Sequence, residues 1–300
     1  MSTLPVVVES AIAPLRPFGD DQMWDAQGLV DQAVATLDAG ASIIHHHHDF
    51  QKDAAGTEQE MAQVARGILA KYPDAMFYGD FTKGRTIQEQ IGHYPGLLAA
   101  DLARVILVDP GVTLIGGIDE LGDPVTRLRS GSKFQDANVV RDLAVEHDLP
   151  LSIGIYEPGN LRWATHQYKQ GKLPAGSYVK FYFCTYYDII TPGAPALNWG
   201  LEPTKSAVDA MLDMMDGCDL AWMVSVQGQP LHEYPDLVRY VLERGGHIRT
   251  GIEDAFGNTT MTNAECTAAT IELTKSVGRP VAHGFDEVRS VLSGQPAPVA

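Results

Sequence analysis

Short apolar runs rich in β-branched residues alternate with amphipathic stretches along most of this chain. Strands are predicted over PVVVESAIA (5–13), SIIHHHH (42–48), AMFYGDF (75–81), RVILVD (104–109), LSIGIYE (151–157), YVKFYFC (178–184), LAWMVSVQ (220–227) and HIRTGIED (247–254). Between them, apolar positions recur with a period near 3.6, the signature of helices packed on one face. These helices cover 27–41, 57–72, 86–101 with an interruption near Pro95, and 134–148 after a longer Gly-rich loop. Further helices are predicted near 160–170, 203–216, 231–243 and 263–276.

Strands that alternate with helices imply a parallel sheet, and continuously apolar strands imply burial on both faces. Such units over about 250 residues favour a closed (β/α)8 barrel. A doubly wound sheet would want a GxGxxG turn after its first strand, and AIAPLRPFG has no such spacing. The expected architecture is an α/β TIM barrel, a single domain over 1–300 with a C-terminal helical extension.

Composition narrows the function classes. With 45% apolar and 20% charged residues the chain has ample material for one core. Its net charge of −16, without clustered Lys or Arg, argues against nucleic acid as a partner. No run approaches the roughly 18 apolar residues of a membrane span. The opening MSTLPVVVESAIAP lacks the basic and apolar regions of a secretory signal, so a cytoplasmic setting is expected. Cys184, Cys218 and Cys266 fit neither a disulfide framework nor a zinc-cysteine spacing, and read as buried apolar residues.

Barrel chemistry gathers at the C-terminal ends of the strands. His45 to His48, Asp80, Asp109, Glu157, Gln227, Glu253 and Asp254 collect there. Strand alternation puts His45 and His47 on one face and His46 and His48 on the other. Either pair can converge on one ion, and alternation alone leaves open which pair faces the mouth. In a closed barrel the last strand lies beside the first, so a carboxylate from GGHIRTGIEDAFG (245–257) can complete a two-His, one-carboxylate site. Three protein ligands leave positions open for substrate, as a catalytic metal needs, and this ligand set favours zinc while leaving manganese, iron and nickel open.

The segments Ala39-Gly40-Ala41-Ser42-Ile43-Ile44-His45-His46-His47 and Gly245-Gly246-His247-Ile248-Arg249-Thr250-Gly251-Ile252-Glu253-Asp254 resemble those of the β-keto acid cleavage enzymes, the family of 3-keto-5-aminohexanoate cleavage enzyme. Asn263-Ala264 and Val277-Gly278-Arg279-Pro280 at the tail are similar too. The resemblance implies a zinc-dependent barrel with His45, His47 and Glu253 on the metal. It implies Arg249 and Asp254 as a catalytic pair, and leaves His46 and His48 structural. The implied reaction is acyl exchange of a β-keto acid with acetyl-CoA, giving acetoacetate and a new CoA thioester. A homo-oligomer, commonly a tetramer, is implied as well.

The chain also departs from the family pattern. Ala13-Pro14-Leu15-Arg16-Pro17 replaces a TGA-type turn, Asp80 or Phe81 stands near the strand-three serine, Leu107 replaces a threonine, and Gly154 replaces a strand-five glutamate. Asp80, Glu157 and Arg16 are the expected substrate-binding residues, with Tyr156, Tyr186, Tyr187 and Trp199 a possible aromatic lining. These changes keep two other readings open: a metal-dependent lyase or hydrolase without CoA, and a non-catalytic ligand-binding barrel.

Overall fold

The computed structural model describes residues 4–13, 25–189, 191 and 193–294. Eight parallel strands form the barrel: β1 (Val8–Ala11), β2 (Ile43–His46), β3 (Met76–Gly79), β4 (Ile106–Val108), β7 (Leu151–Ile155), β8 (Tyr178–Cys184), β9 (Ala221–Gln227) and β10 (His247–Thr250). The ladder runs β3-β2-β1-β10-β9-β8-β7-β4, and β3 touches β4 to bring the ring nearly to closure. The TIM barrel anticipated from the alternating pattern is the observed fold.

Helices α1 (Ala26–Asp38), α2 (Ala54–Lys71), α5 (Phe134–Glu146), α6 (Pro158–Lys169), α7 (Lys205–Asp213), α8 (Pro235–Glu243) and α9 (Asn263–Ser276) lie outside the barrel. Side-chain caps start several of them: Asp25 and Asp53 accept from Gly28 and Gly56 N–H, and Thr262 forms a capping box with Glu265. The predicted 86–101 helix is two pieces, α3 (Ile87–Gln90) and α4 (Tyr94–Ala99). The interruption expected near Pro95 falls at 91–93, and Pro95 stands in the first turn of α4, where its missing N–H costs nothing.

One element departs from expectation. The Gly-rich loop after β4 is an antiparallel hairpin, β5 (Thr113–Ile118) and β6 (Pro124–Ser130), that rises beside the barrel mouth. A final helix, α10 (Phe285–Leu292), sits under the barrel. Its Val288, Val291 and Leu292 pack with Val7, Ile43, Met76, Val105, Tyr178 and Met223, which point inward at the lower end of their strands. Burying that apolar face closes the barrel floor.

Above the floor, the inward positions turn polar. Glu9, Tyr78, Ser152, Lys180, Ser225 and Arg249 occupy the middle of the barrel, all buried. The outward positions stay apolar and join the helices in the main core.

The last strand stops at Thr250, short of the predicted 254. Gly251 has φ +133°, and a Cβ there would lie 2.1 Å from the Ala11 carbonyl oxygen. Only glycine takes that conformation that close to a neighbouring backbone. The turn that follows carries Glu253 and Asp254 back across the mouth. Gly251→Ala should lower the unfolding free energy by about 3 kcal/mol or more, read as a fall in the urea midpoint.

At the start of β10, His247 Nδ1 accepts the Val7 N–H at 3.0 Å, so the ring is held neutral. Burial, with Arg279 adding to it, pushes its pKa down from 6.5 to about 3. The folded value lies below the unfolded one, so this contribution to stability is complete above 6.5 and is lost as pH falls toward 3. In His247→Asn, whose Oδ1 can take the same N–H, acid destabilisation across that window should be shallower by about one proton. Urea midpoints measured across that pH range check it.

Candidate active site

The alternation of β2 now has a direction. His45 and His47 face the barrel mouth, whereas His46 turns outward and His48 is outside the mouth lining. His46 lies beside Met61, His93 and Tyr94, and the His48 ring packs 4.6 Å from Phe50. His93 is buried in this group.

At the mouth, Glu253 Oε2 lies 3.5 Å from His45 Nε2 and 3.6 Å from His47 Nε2. Glu253 Oε2 is buried and has no hydrogen-bond partner. Two imidazole nitrogens and an orphaned carboxylate oxygen that share one small volume form a donor set for a divalent ion, and these three residues form the metal-competent group among the described residues. Burial, reinforced by Arg249, holds His45 well below its ordinary pKa and therefore neutral, as a ligand must be. Burial pushes His47 down as well, but the Glu253 and Asp80 carboxylates outweigh it and the net direction is up. Glu253 is raised, burial outweighing the nearby positive charges. Asp80 Oδ2 stands 3.2 Å from His47 Nε2, on the edge of the cluster.

Arg249 organises the other side. Its Nε lies 3.1 Å from both oxygens of Asp254, and Nη2 bonds Asp254 Oδ1 at 3.0 Å and also Glu253 Oε1. Its Nη1 donates to Glu9 Oε1 at 2.8 Å. Asp254 Oδ2 also accepts from Ser225 Oγ at 2.6 Å, whose oxygen accepts from Gln227 Nε2. A guanidinium with fixed donor directions thus holds both carboxylates of the turn in place.

Beneath it, Glu9 accepts from Tyr78 and Tyr178 hydroxyls, each at 2.7 Å, and Lys180 Nζ lies 3.7 Å away. Burial would raise Glu9, but Lys180 and Arg249 outweigh it and the carboxyl stays below its usual range. Glu9, Lys180 and Ser225 were not singled out from the sequence. The available signal was a lone charge in VVVESA and in YVKFYF: when both faces of a strand are buried, a charge must point at a partner.

The cluster opens into a cavity of about 370 Å³. Asp80, Asp109, Tyr156, Trp199 and Gln227 line it, and the hairpin adds Ile115 and Leu128 to Ser132. Arg127 on that hairpin pairs with Asp188 at 3.1 Å, fastening it to the loop after β8. Tyr186 and Tyr187 belong to a separate surface hollow rather than to this lining. Glu157 also lies outside it: it starts α6, its N–H bonds Asn160 Oδ1, and its Oε1 accepts the Gly200 N–H. Its backbone N–H and its carboxylate are thus engaged in the strand-to-helix turn. Arg16 lies outside the described residues.

A family model described as beta-keto acid cleavage enzyme matches residues 24–293. The 3-keto-5-aminohexanoate cleavage enzyme of Acetoanaerobium sticklandii is 21% identical over 276 residues, covering 90% of each chain. Among solved structures, apo ObcA superposes with a TM-score of 0.61 at 12% identity, over 89% of this chain and 64% of ObcA. A ternary complex of ObcA with a C4-CoA adduct and oxalate superposes with a TM-score of 0.55 at 12% identity, over 86% of this chain and 64% of that one. The chain thus spans less than two thirds of the length of ObcA, and that likeness establishes the barrel fold.

Proposed function

The chain belongs to the β-keto acid cleavage enzyme family, and from that premise we propose that it exchanges the acyl group of a β-keto acid with acetyl-CoA, releasing acetoacetate and a new CoA thioester, with zinc as its metal. The observation that carries this reading is the meeting of His45, His47 and Glu253 beside an aspartate clamped by Arg249. A zinc ion on those three residues would polarise the substrate's carboxylate and keto oxygens and lower the cost of the enolate.

The chain's own residues supply the rest. Asp254 is the base that removes a proton from C2, oriented by Arg249 and Ser225. C2 then attacks the thioester carbonyl of acetyl-CoA, and the CoA sulfur leaves. That sulfur adds to the original keto carbon, the bond from C2 to that carbon breaks, and Asp254 returns the proton to C2 of acetoacetate. Lys180 and Glu9, buried below, keep Arg249 fixed while charge moves above it. Asp80, at the edge of the ligand cluster, contacts the bound keto acid.

The 3-keto-5-aminohexanoate cleavage enzyme relative supports keto-acid cleavage, and the ObcA complex with a CoA adduct supports a barrel mouth where acid and CoA meet. A homo-oligomeric, cytoplasmic enzyme completes the proposal. The test is acetoacetate formation from a panel of β-keto acids, with and without acetyl-CoA. Keto-acid consumption that ignores acetyl-CoA would favour a metal-dependent lyase instead.

A further inference from the structure

A buried donor at the barrel mouth has no acceptor. Trp199, in the segment after β8, is 5% exposed and lines the cavity, and its Nε1 is buried without a hydrogen-bond partner. An indole nitrogen can only donate, and a tryptophan this deep ordinarily finds something to donate to. Neighbouring donors already have acceptors. Arg249 is committed to Glu9, Glu253 and Asp254. Lys180 Nζ donates to the Tyr78 hydroxyl at 2.7 Å, and Gln227 Nε2 to Ser225 Oγ at 2.6 Å.

The ring is held from several sides. It meets Tyr156 edge to face at 5.1 Å and Phe256 in the same way at 6.3 Å. Phe256 stands two residues beyond Asp254 in the turn after β10, so the indole packs against the segment that carries the base. Asn198 Nδ2 donates to the Tyr187 carbonyl at 2.7 Å, and the Gly200 N–H donates to Glu157 Oε1 at 3.2 Å. Gly200 has φ +70°, and a Cβ there would lie 2.4 Å from the Tyr156 carbonyl oxygen, so the backbone beside the ring has little room to shift. A donor fixed before substrate arrives stabilises developing charge without reorganising.

Acyl exchange creates one such charge that no residue named so far meets. When C2 attacks acetyl-CoA, the carbon–carbon bond forms and the π pair of the thioester carbonyl moves onto its oxygen. The negative charge stays there until the CoA sulfur leaves. The keto oxygen of the acid falls to the His45–His47–Glu253 cluster, whereas the thioester oxygen falls to no group. We infer that the Trp199 indole N–H donates to the thioester oxygen of acetyl-CoA and stabilises the charge it gains as C2 attacks. The indole keeps its proton throughout. This inference rests on the acyl-exchange reading of the site and adds a catalytic residue to it.

The test compares Trp199→Phe, which keeps an aromatic ring without the N–H, with benzothienylalanine installed at position 199, which keeps the two-ring shape and puts sulfur in place of the N–H. In zinc-loaded protein, kcat for acetoacetate formation should fall by about 10²- to 10³-fold in both. Deuterium exchange at C2 of the keto acid, which uses Asp254 but no thioester, should be unchanged in the benzothienylalanine protein. A third readout needs no turnover. In Asp254→Asn with keto acid bound, the infrared stretch of carbonyl-labelled acetyl-CoA should move to higher frequency when the N–H at 199 is replaced, as it does on losing a hydrogen bond. Equal loss of C2 exchange and acetoacetate formation in the benzothienylalanine protein overturns the inference, and so does a turnover or a carbonyl stretch that ignores the missing N–H. Both results leave acyl exchange standing. If the unsubstituted protein forms no acetoacetate from acetyl-CoA, acyl exchange fails and the inference falls with it.

Discussion

Asp254→Asn should lower kcat by about 10²- to 10⁴-fold with zinc content unchanged. The substitution keeps the shape of the side chain, so Ser225 and Arg249 retain a partner in place. What is lost is the ability to take a proton from C2. Asp254 is not in the group of residues whose atoms converge for a cation, so metal binding and turnover separate in this variant. The same substitution at Glu253 would impair both, because its Oε2 faces His45 and His47. Steady-state kinetics and metal analysis on the same preparation check the separation; equal loss of zinc and turnover in Asp254→Asn would count against a base role.

The second large effect is expected from His45→Ala combined with His47→Ala. Two of three converging donors disappear, leaving one carboxylate that cannot hold zinc in competition with water. Bound metal should fall from about one per chain to near zero, and acetoacetate formation to background. His46→Ala combined with His48→Ala is the matched control. Neither ring lines the mouth, so that pair should keep its zinc while losing some stability from the emptied buried space. Elemental analysis with circular dichroism distinguishes metal loss from unfolding. If both pairs lose metal equally, the division of the histidine run by strand face is wrong.

The barrel was legible in the sequence because its strands are continuously apolar and its helices amphipathic, which leaves few other packings. YVKFYFC (178–184) came out with its observed ends, because both faces are buried along its whole length. Local turns were harder. The hairpin at Thr113–Ser130 keeps much of its second strand exposed, so its alternation carries little apolar signal and reads as a loop. Gly251 ends β10 four residues before the strand pattern does, and only the close approach of the Ala11 backbone reveals why.

The site divides in the same way. His45, His47, Glu253, Arg249 and Asp254 were marked by their motifs, and the structure brings them together. Glu9 and Lys180 escaped notice, since a single charge in an apolar strand gives no hint of the partner across the barrel. Glu157 was expected to bind substrate; the N–H and carboxylate engagement with Asn160 and Gly200 has no sequence signal of its own.

The most direct test of the central claim follows product stoichiometry in zinc-loaded protein supplied with acetyl-CoA and a β-keto acid that it consumes. One acetoacetate should form for each new CoA thioester, with none after chelation and recovery when zinc is restored. Keto-acid loss at an unchanged rate without acetyl-CoA, or with the metal removed, would contradict metal-dependent acyl exchange at this site.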